Sequence, residues 1–412
     1  MSMSLRFVAP IMILTGLSGP VSADVVTDWN EKAVAFITKQ RLLPPQAERV
    51  VASVHVAMFD AVNAIERRYR PYRVAVTAAK DASREAAAIA AAGTVLAGLN
   101  PKDAEELRAL TAAALAAIAP GSAKADGIKI GEQVAAKIVA ERLADGADAP
   151  DAYRPKTRPG LYVPTPITAS SMWPSVKPFA MTSSSQLRPP PPIPLKGEQW
   201  AADYNEIKSF GGKTSSKRTA RQTEDAQFWL ITGPASYYPI VRQLVAAKHM
   251  DLVDSARFMA LVSAAVADAY IAVFDAKYHY DFWRPITAIR NGDIDDNPAT
   301  ELEATWQPID TTPMHPEFPC AHCITSAAVA TVIEAALGSA DIPEVSMTSA
   351  TAPGVTHRWS NVWVYADEVA MARIWAGFHY RFSTRVGQDM GRQIGRLVVG
   401  TLMQKASGAV TP

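Results

Sequence analysis

Five of the seven histidines, His279, His315, His322, His357 and His379, fall between positions 279 and 379, and both cysteines, Cys320 and Cys323, lie in the same stretch. Three local patterns there have the residue types of an anion site. In the first, Lys277 precedes Arg284-Pro285 by seven positions. On a continuous helix that spacing puts both cations on nearly one face. The guanidinium offers a planar fork and the ammonium a point charge, a pair suited to an oxyanion. In the second, Pro319-Cys320-Ala321-His322 leads into an apolar helical run to Leu337, with Gly338 as its stop. Proline opens the helix, so the amides of residues 320–322 face outward at an anion-binding N-terminus, with His322 beside them. In the third, Arg373 is followed by Gly377 and His379. Six residues on an ideal helix separate two side chains by about 120°, so Arg373 must reach around to share a ligand with His379. Each pattern also has a plain structural reading: a solvated basic face, a capping histidine, or a close helix approach at glycine.

Taken together, in this order and with these spacings, Lys-x6-Arg-Pro, Pro-x-x-His and Arg-x5-His resemble the three-part signature of vanadium-dependent haloperoxidases and type 2 phosphatidic acid phosphatases. The stretches Trp283–Arg290, Val54–Ile65 and Pro164-Thr165-Pro166 also resemble bacterial haloperoxidase relatives, so the likeness covers most of residues 28–402. Small phosphatases of the family lack a long N-terminal half, which favours the haloperoxidase branch. Departures are Cys320 and Ala321 in place of the usual Ser-Gly, Ala372 in place of a serine before Arg373, and Ser383 where an aspartate is common.

The resemblance implies vanadate as cofactor, with no haem and no flavin. Lys277, Arg284 and Arg373 would neutralise its oxygens, with the backbone at Ala321 and the side chain at Cys320 adding contacts. His379 would be the axial metal ligand of vanadium, and His322 the acid/base. Hydrogen peroxide and a halide would be the partners. His315, seven residues before His322, leans toward bromide, since algal bromoperoxidases tend to carry histidine there; a loop histidine in solvent is its plain alternative. The alternative activity is an acid phosphatase acting on a phosphate ester, with His379 forming a phosphohistidine and His322 protonating the leaving group.

Other chemistries fit less well. Cys320-x-x-Cys323 has a thiol-redox spacing, but the strand–helix context that thioredoxin-like folds need is missing. A structural disulfide clipping the helix start is the preferred reading of the pair. His315-Pro-Glu317 followed by Pro319-Cys320-x-x-Cys323 contains the letters of a zinc deaminase site, yet the two halves sit too close to lie on separate helices. A non-catalytic anion-binding protein, disabled by the substitutions at Cys320, Ala321 and Ser383, is the remaining reading.

The elements that must position these residues are helical. The expected class is all-α: two packed four-helix-type bundles with a Pro-rich strap between them. Helical patterns cover 28–145 and then 197–209, 218–231, 236–249, 252–280, 320–337, 362–376 and 384–404. Residues 151–196 hold too many prolines for helix, but Tyr162, Trp173 and Phe179 argue for an ordered strap. The segments 51–65 and 262–276 are faintly alike, each ending near Phe-Asp-Ala, a hint of duplication. The chain's 412 residues, 49% hydrophobic with a net charge of +1, exclude general disorder and give no nucleic-acid footprint. Residues 1–23 have the charged start, apolar middle and small-residue end of an export signal. The expected divisions are 1–23 signal peptide, 24–150 N-terminal helical region, 151–196 strap and 197–412 C-terminal bundle with the oxyanion site. A periplasmic or secreted product with no stable membrane span follows, because Asp268 interrupts the best candidate span. The oligomeric state has no signal.

Overall fold

A computed structural model describes residues 24–164 and 167–406; the expected signal segment, 1–23, lies outside them. The N-terminal part forms α1 (Val25–Lys39), α2 (Pro44–Glu66), α3 (Arg84–Leu99), α4 (Ala104–Ala116) and α5 (Ser122–Leu143). After the strap come α6 (Glu198–Gly211), α7 (Ala220–Phe228), α8 (Tyr238–Ala247), α9 (Leu252–Tyr280) and α10 (Pro285–Arg290). The chain ends with α11 (Ala321–Leu337), a hairpin of β1 (Asp341–Ser349) and β2 (Ala352–Asn361), α12 (Val362–Trp375) and α13 (Arg381–Thr401). The all-α class holds. Side-chain caps start several helices: Asp24 on α1, Ser83 on α3, Thr219 with Gln222 on α7, Asp251 on α9 and Asn361 on α12.

The two helical halves share one core. Helix α9 is apolar enough to cross a membrane, yet its apolar 18-residue stretch is wholly buried, and the helix packs against α2, α11 and α13. Its mid-helix acid explains itself. The Asp268 carboxylate accepts the backbone N–H groups of Phe179, Ala180 and Met181 at 2.6, 2.8 and 2.8 Å. This fastens the strap to α9, while Arg142 on α5 donates to the Lys177 carbonyl at 2.8 Å from the other side. The strap therefore runs between the halves. In α2, Asp60 accepts from Tyr72, Arg73 and Val74 in the same manner at 2.6, 3.0 and 2.8 Å. The two likened segments thus share a device, with Asp60 matching Asp268 rather than the aspartate of the second Phe-Asp-Ala.

The sequence reading contains no strand between 338 and 361. The hairpin there is antiparallel, with Ile342, Val345, Met347 and Trp359 turned into the core. Continuous helical geometry also fails at two motifs. Helix α9 ends at Tyr280, Asp281 takes a left-handed φ of 55°, and Arg284 caps α10. Lys277 and Arg284 therefore do not share a helix face. Helix α12 likewise ends at Trp375, and Gly377 turns the chain at φ 80°. His379 reaches Arg373 through that turn, with no reach around a helix. Helix α13 approaches α11 closely at Gly391, where an added Cβ would lie 2.3 Å from the Ile324 carbonyl oxygen.

Candidate functional site

The end of α9, the start of α11 and the turn after α12 meet at a cavity of about 290 Å³. Its walls include His315, Ala321, His322, Arg373 and His379, with Tyr270 and Phe274 from α9, Pro44 and Pro45 from α2, and Ser170 from the strap. Lys277 and Arg284 stand behind this wall, both essentially without solvent exposure.

Each cation is held by carbonyl oxygens. Lys277 Nζ donates to Pro316 O at 2.9 Å and Glu317 O at 2.7 Å. Arg284 donates through Nε to His315 O at 2.8 Å and through Nη1 to Phe378 O at 3.0 Å. Arg373 donates to Trp229 O at 2.8 Å, and its Nε is buried with no hydrogen-bond partner among the described residues. Carbonyls fix the direction of these side chains without cancelling their charge.

Glu317 is the carboxylate buried among them. Its Oε1 lies 2.8 Å from His379 Nδ1 and accepts the Tyr380 amide at 3.1 Å. Arg284 Nη1 lies 3.3 Å from His379 Nε2, and its Nη2 lies 3.0 Å from His315 Nδ1. A guanidinium only donates, so His379 Nε2 accepts, whereas His315 Nδ1 lies between Arg284 Nη2 and the Pro316 carbonyl oxygen, 3.2 Å away. His379 accordingly carries its proton on Nδ1 and its lone pair on Nε2. His322 Nε2 lies 3.1 Å from Ile231 O, an acceptor, so His322 donates there and keeps its lone pair on Nδ1.

Burial and crowding of like charge shape the electrostatics. Burial, then Arg284, pushes Lys277 well below the ordinary lysine range. Burial lowers Arg284 to about 10; burial and Arg284 together lower Arg373 to about 9. The three histidines are pushed well down, first by burial and then by these cations. Burial raises Glu317 to about 7 against the pull of Lys277 and Arg284. Three buried cations thus face one buried carboxylate, an imbalance that a bound oxyanion would relieve.

The helix N-terminus adds donors. Cys320 N donates to Ser383 O at 3.3 Å and Cys323 N to Cys320 Sγ at 3.2 Å. The amides of Ala321 and His322 have no partner among the described residues, and Ala321 lines the cavity. The set of outward-facing amides is therefore 321–322, not 320–322. The Cys320 side chain needs a second correction. Its sulfur is bonded to Cys323, is fully buried and does not line the cavity, so it brings no S–H donor. The residues present fit a multiply charged oxyanion: orphaned Arg373 Nε, two free amides and the excess positive charge.

Sequence reasoning missed Glu317 as the partner of His379, since 62 positions separate them. It missed Trp229 and Ile231, which act through backbone carbonyls. It also left His315 between a halide-side role and a solvent loop; the structure places it in the cavity wall against Arg284.

Residues 257–408 match the family model of the VCPO second helical-bundle domain. Vanadium chloroperoxidase of Curvularia inaequalis is 24% identical over an alignment covering 52% of this chain and 46% of that protein, so the chain spans about half the length of the curated relative it matches. The crystal structure of a bacterial vanadium-dependent iodoperoxidase superposes with a TM-score of 0.80 at 23% identity, covering 94% of this chain and 99% of that one. The apo form of a bacterial vanadium-dependent chloroperoxidase superposes with a TM-score of 0.68 at 17% identity, covering 87% and 93%.

Proposed function

We propose that the chain is a vanadate-dependent haloperoxidase that oxidises halide with hydrogen peroxide, a reading supported by the match of residues 257–408 to the VCPO second helical-bundle domain. The observation that carries this reading is the meeting at one cavity of Arg373, the two free amides and the unprotonated Nε2 of His379, with Lys277 and Arg284 buried behind its wall. The likeness across 94% of the chain, including the N-terminal half, supports the peroxidase branch over the phosphatase one.

Lys277, Arg284 and Arg373 would balance the negative oxygens, the amides of Ala321 and His322 would donate to them, and His379 Nε2 would be the ring nitrogen that holds the vanadium. Vanadate, when bound, supplies a Lewis acid that polarises peroxide without changing oxidation state. Glu317 keeps the His379 proton on Nδ1 and so keeps Nε2 unprotonated, the state a ligand atom needs. His322, pushed toward its neutral form by its surroundings and Arg373, can take a proton at Nδ1 and return it. Tyr270, Phe274 and the prolines of α2 give the cavity its apolar side.

Bromide is the proposed halide, on the strength of His315 in the wall; iodide, the substrate named for one structural neighbour, is its direct competitor. Export to the periplasm or beyond is part of the proposal, supported by the N-terminal segment and the Cys320–Cys323 disulfide. The test is to add orthovanadate to chelator-treated protein and assay peroxide-dependent oxidation of bromide, iodide and chloride beside hydrolysis of a phosphate ester. Vanadate-dependent halide oxidation, competed by phosphate, is expected. Vanadate-inhibited ester hydrolysis with no halide oxidation would transfer the site to the phosphatase reading.

A further inference from the structure

The hairpin assembles a second group of chemistry-bearing side chains outside the anion cavity. His357 on β2 is 2% exposed and lies flat against Phe228, with ring centroids 3.9 Å apart. Its Nδ1 is 2.6 Å from Glu368 Oε1 on α12. The same carboxylate accepts Trp229 Nε1 at 2.9 Å and Trp359 Nε1 at 3.2 Å. A carboxylate that accepts from two indole N–H groups accepts from His357 as well, which places the ring proton on Nδ1.

The other ring nitrogen is then a lone-pair donor. His357 Nε2 is buried with no hydrogen-bond partner among the described residues. It lies 3.7 Å from Asp225 Oδ1 and 3.8 Å from Glu224 Oε1, both on α7. Asp225 Oδ1 is also buried and without a hydrogen bond; Arg221 Nε stands 2.8 Å from it but out of line.

We propose that Glu224, Asp225 and His357 form a binding site for a divalent transition-metal ion of the zinc type, separate from the anion cavity. The three ligand atoms lie within 4.8 Å of one another. Tetrahedral coordination at 2.0–2.1 Å places ligand atoms ~3.4 Å apart, so His357 closes on the two carboxylates by ~0.3–0.4 Å, and the carboxylates close on each other by at most ~1.4 Å. An imidazole among two carboxylates selects zinc-like ions over calcium or magnesium, which take oxygen donors. Glu368 supplies the carboxylate–histidine arrangement that orients metal-bound imidazoles. Glu224, 38% exposed at its side chain, opens the site to solvent and leaves a coordination position for water. Arg221, 59% exposed, pairs with both carboxylates and is the ion's internal competitor.

The site also touches the anion pocket's scaffold. Trp229, which donates to Glu368, holds Arg373 through its carbonyl. A bound ion would tie α7 to the hairpin and steady that carbonyl.

The experiment uses chelator-stripped full-length protein dialysed against zinc chloride, with metal per chain and melting temperature as readouts. One zinc per chain and a raised melting temperature are expected. Glu224→Gln, at an exposed side chain that leaves the fold intact, should weaken binding at least ~10-fold, and Glu368→Gln by ~10- to 100-fold. Arg221→Ala should tighten it. Sub-stoichiometric zinc, calcium bound in preference to zinc, or one zinc whose affinity ignores both Glu224→Gln and Arg221→Ala would overturn the proposal.

Discussion

His379 Nδ1 donates to Glu317 Oε1 across 2.8 Å, and the bond joins two loops that precede different helices. The same oxygen accepts the Tyr380 amide, so Glu317 fixes both the ring and the backbone that carries it. Glu317→Gln keeps an acceptor but removes the charge that sets the His379 tautomer. Vanadate affinity should fall ~10- to 100-fold, as for other partners of metal-bound histidines. His379→Ala should weaken it further while barely moving the melting temperature. A vanadate titration of both variants decides: parental affinity in His379→Ala removes the axial role.

Arg373 makes one hydrogen bond, leaves Nε unpartnered and is pushed down to about 9 by burial and by Arg284. Its charge is a burden in the absence of an anion. Arg373→Met fills similar space without charge. The ligand-free variant should melt no lower than the parent, since replacing a buried charge by an apolar side chain is often neutral or stabilising. Its vanadate affinity should drop at least ~10-fold, the loss of a charge-assisted donor worth ~1.5–3 kcal/mol. Loss of stability without loss of affinity would assign Arg373 to the fold alone.

The signature spacings made Lys277, Arg284, His322, Arg373 and His379 legible in the sequence, because each motif is local. What joins the motifs was not legible. Glu317 meets His379 only through the tertiary fold, and Trp229 and Ile231 contribute carbonyls, which any residue type carries. Helix lengths were readable from the 3.6-residue period, but the stop at Asp281 depends on a left-handed backbone that aspartate adopts only in context. The hairpin escaped because Pro343, Pro353 and Gly354 interrupt its two strands and read as loop.

Asp268 tests the strap. It is fully buried, raised by burial, and satisfied by three strap amides. Asp268→Ala strands those amides, each worth ~1–3 kcal/mol when left unsatisfied. A loss of at least ~3 kcal/mol is expected, together with faster proteolytic cleavage within 167–188. Equal cleavage rates in variant and parent would show that the strap is anchored elsewhere.

Glu48 predicts a pH dependence. Burial raises it to about 8 against the bonds from the Tyr237 and Tyr238 hydroxyls. Its folded pKa lies above the unfolded value of 4.5. The folded state thus binds more protons, and this group's contribution to stability is full below 4.5 and lost as pH rises to about 8. Glu48→Gln should remove that decline. Melting temperature measured from pH 5 to pH 9 should fall less steeply in the variant, with the gap widest at the alkaline end. Parallel curves would mean that Glu48 does not titrate in this window.

The Cys320–Cys323 disulfide closes a loop with a sequence separation of 3, at the N-terminus of α11. So short a loop removes little freedom from the unfolded chain, and its effect on global stability is correspondingly small. Its local effect is larger. Cys320 Sγ accepts the Cys323 amide, and Cys320 N is held by Ser383 O, which leaves the amides of Ala321 and His322 as the free donors between two fixed residues. Reduction releases one of those anchors and loosens the donors that face the cavity. Reduced protein should therefore lose vanadate affinity several-fold while its melting temperature moves by no more than ~2–4 °C, the range for about 1 kcal/mol in a domain of 150–250 residues. Thiol titration of freshly isolated, denatured protein without reductant should find no free thiol. Two free thiols would defeat the disulfide and return Cys320 to a weak S–H donor; equal vanadate affinity with and without reductant would detach it from the anion site.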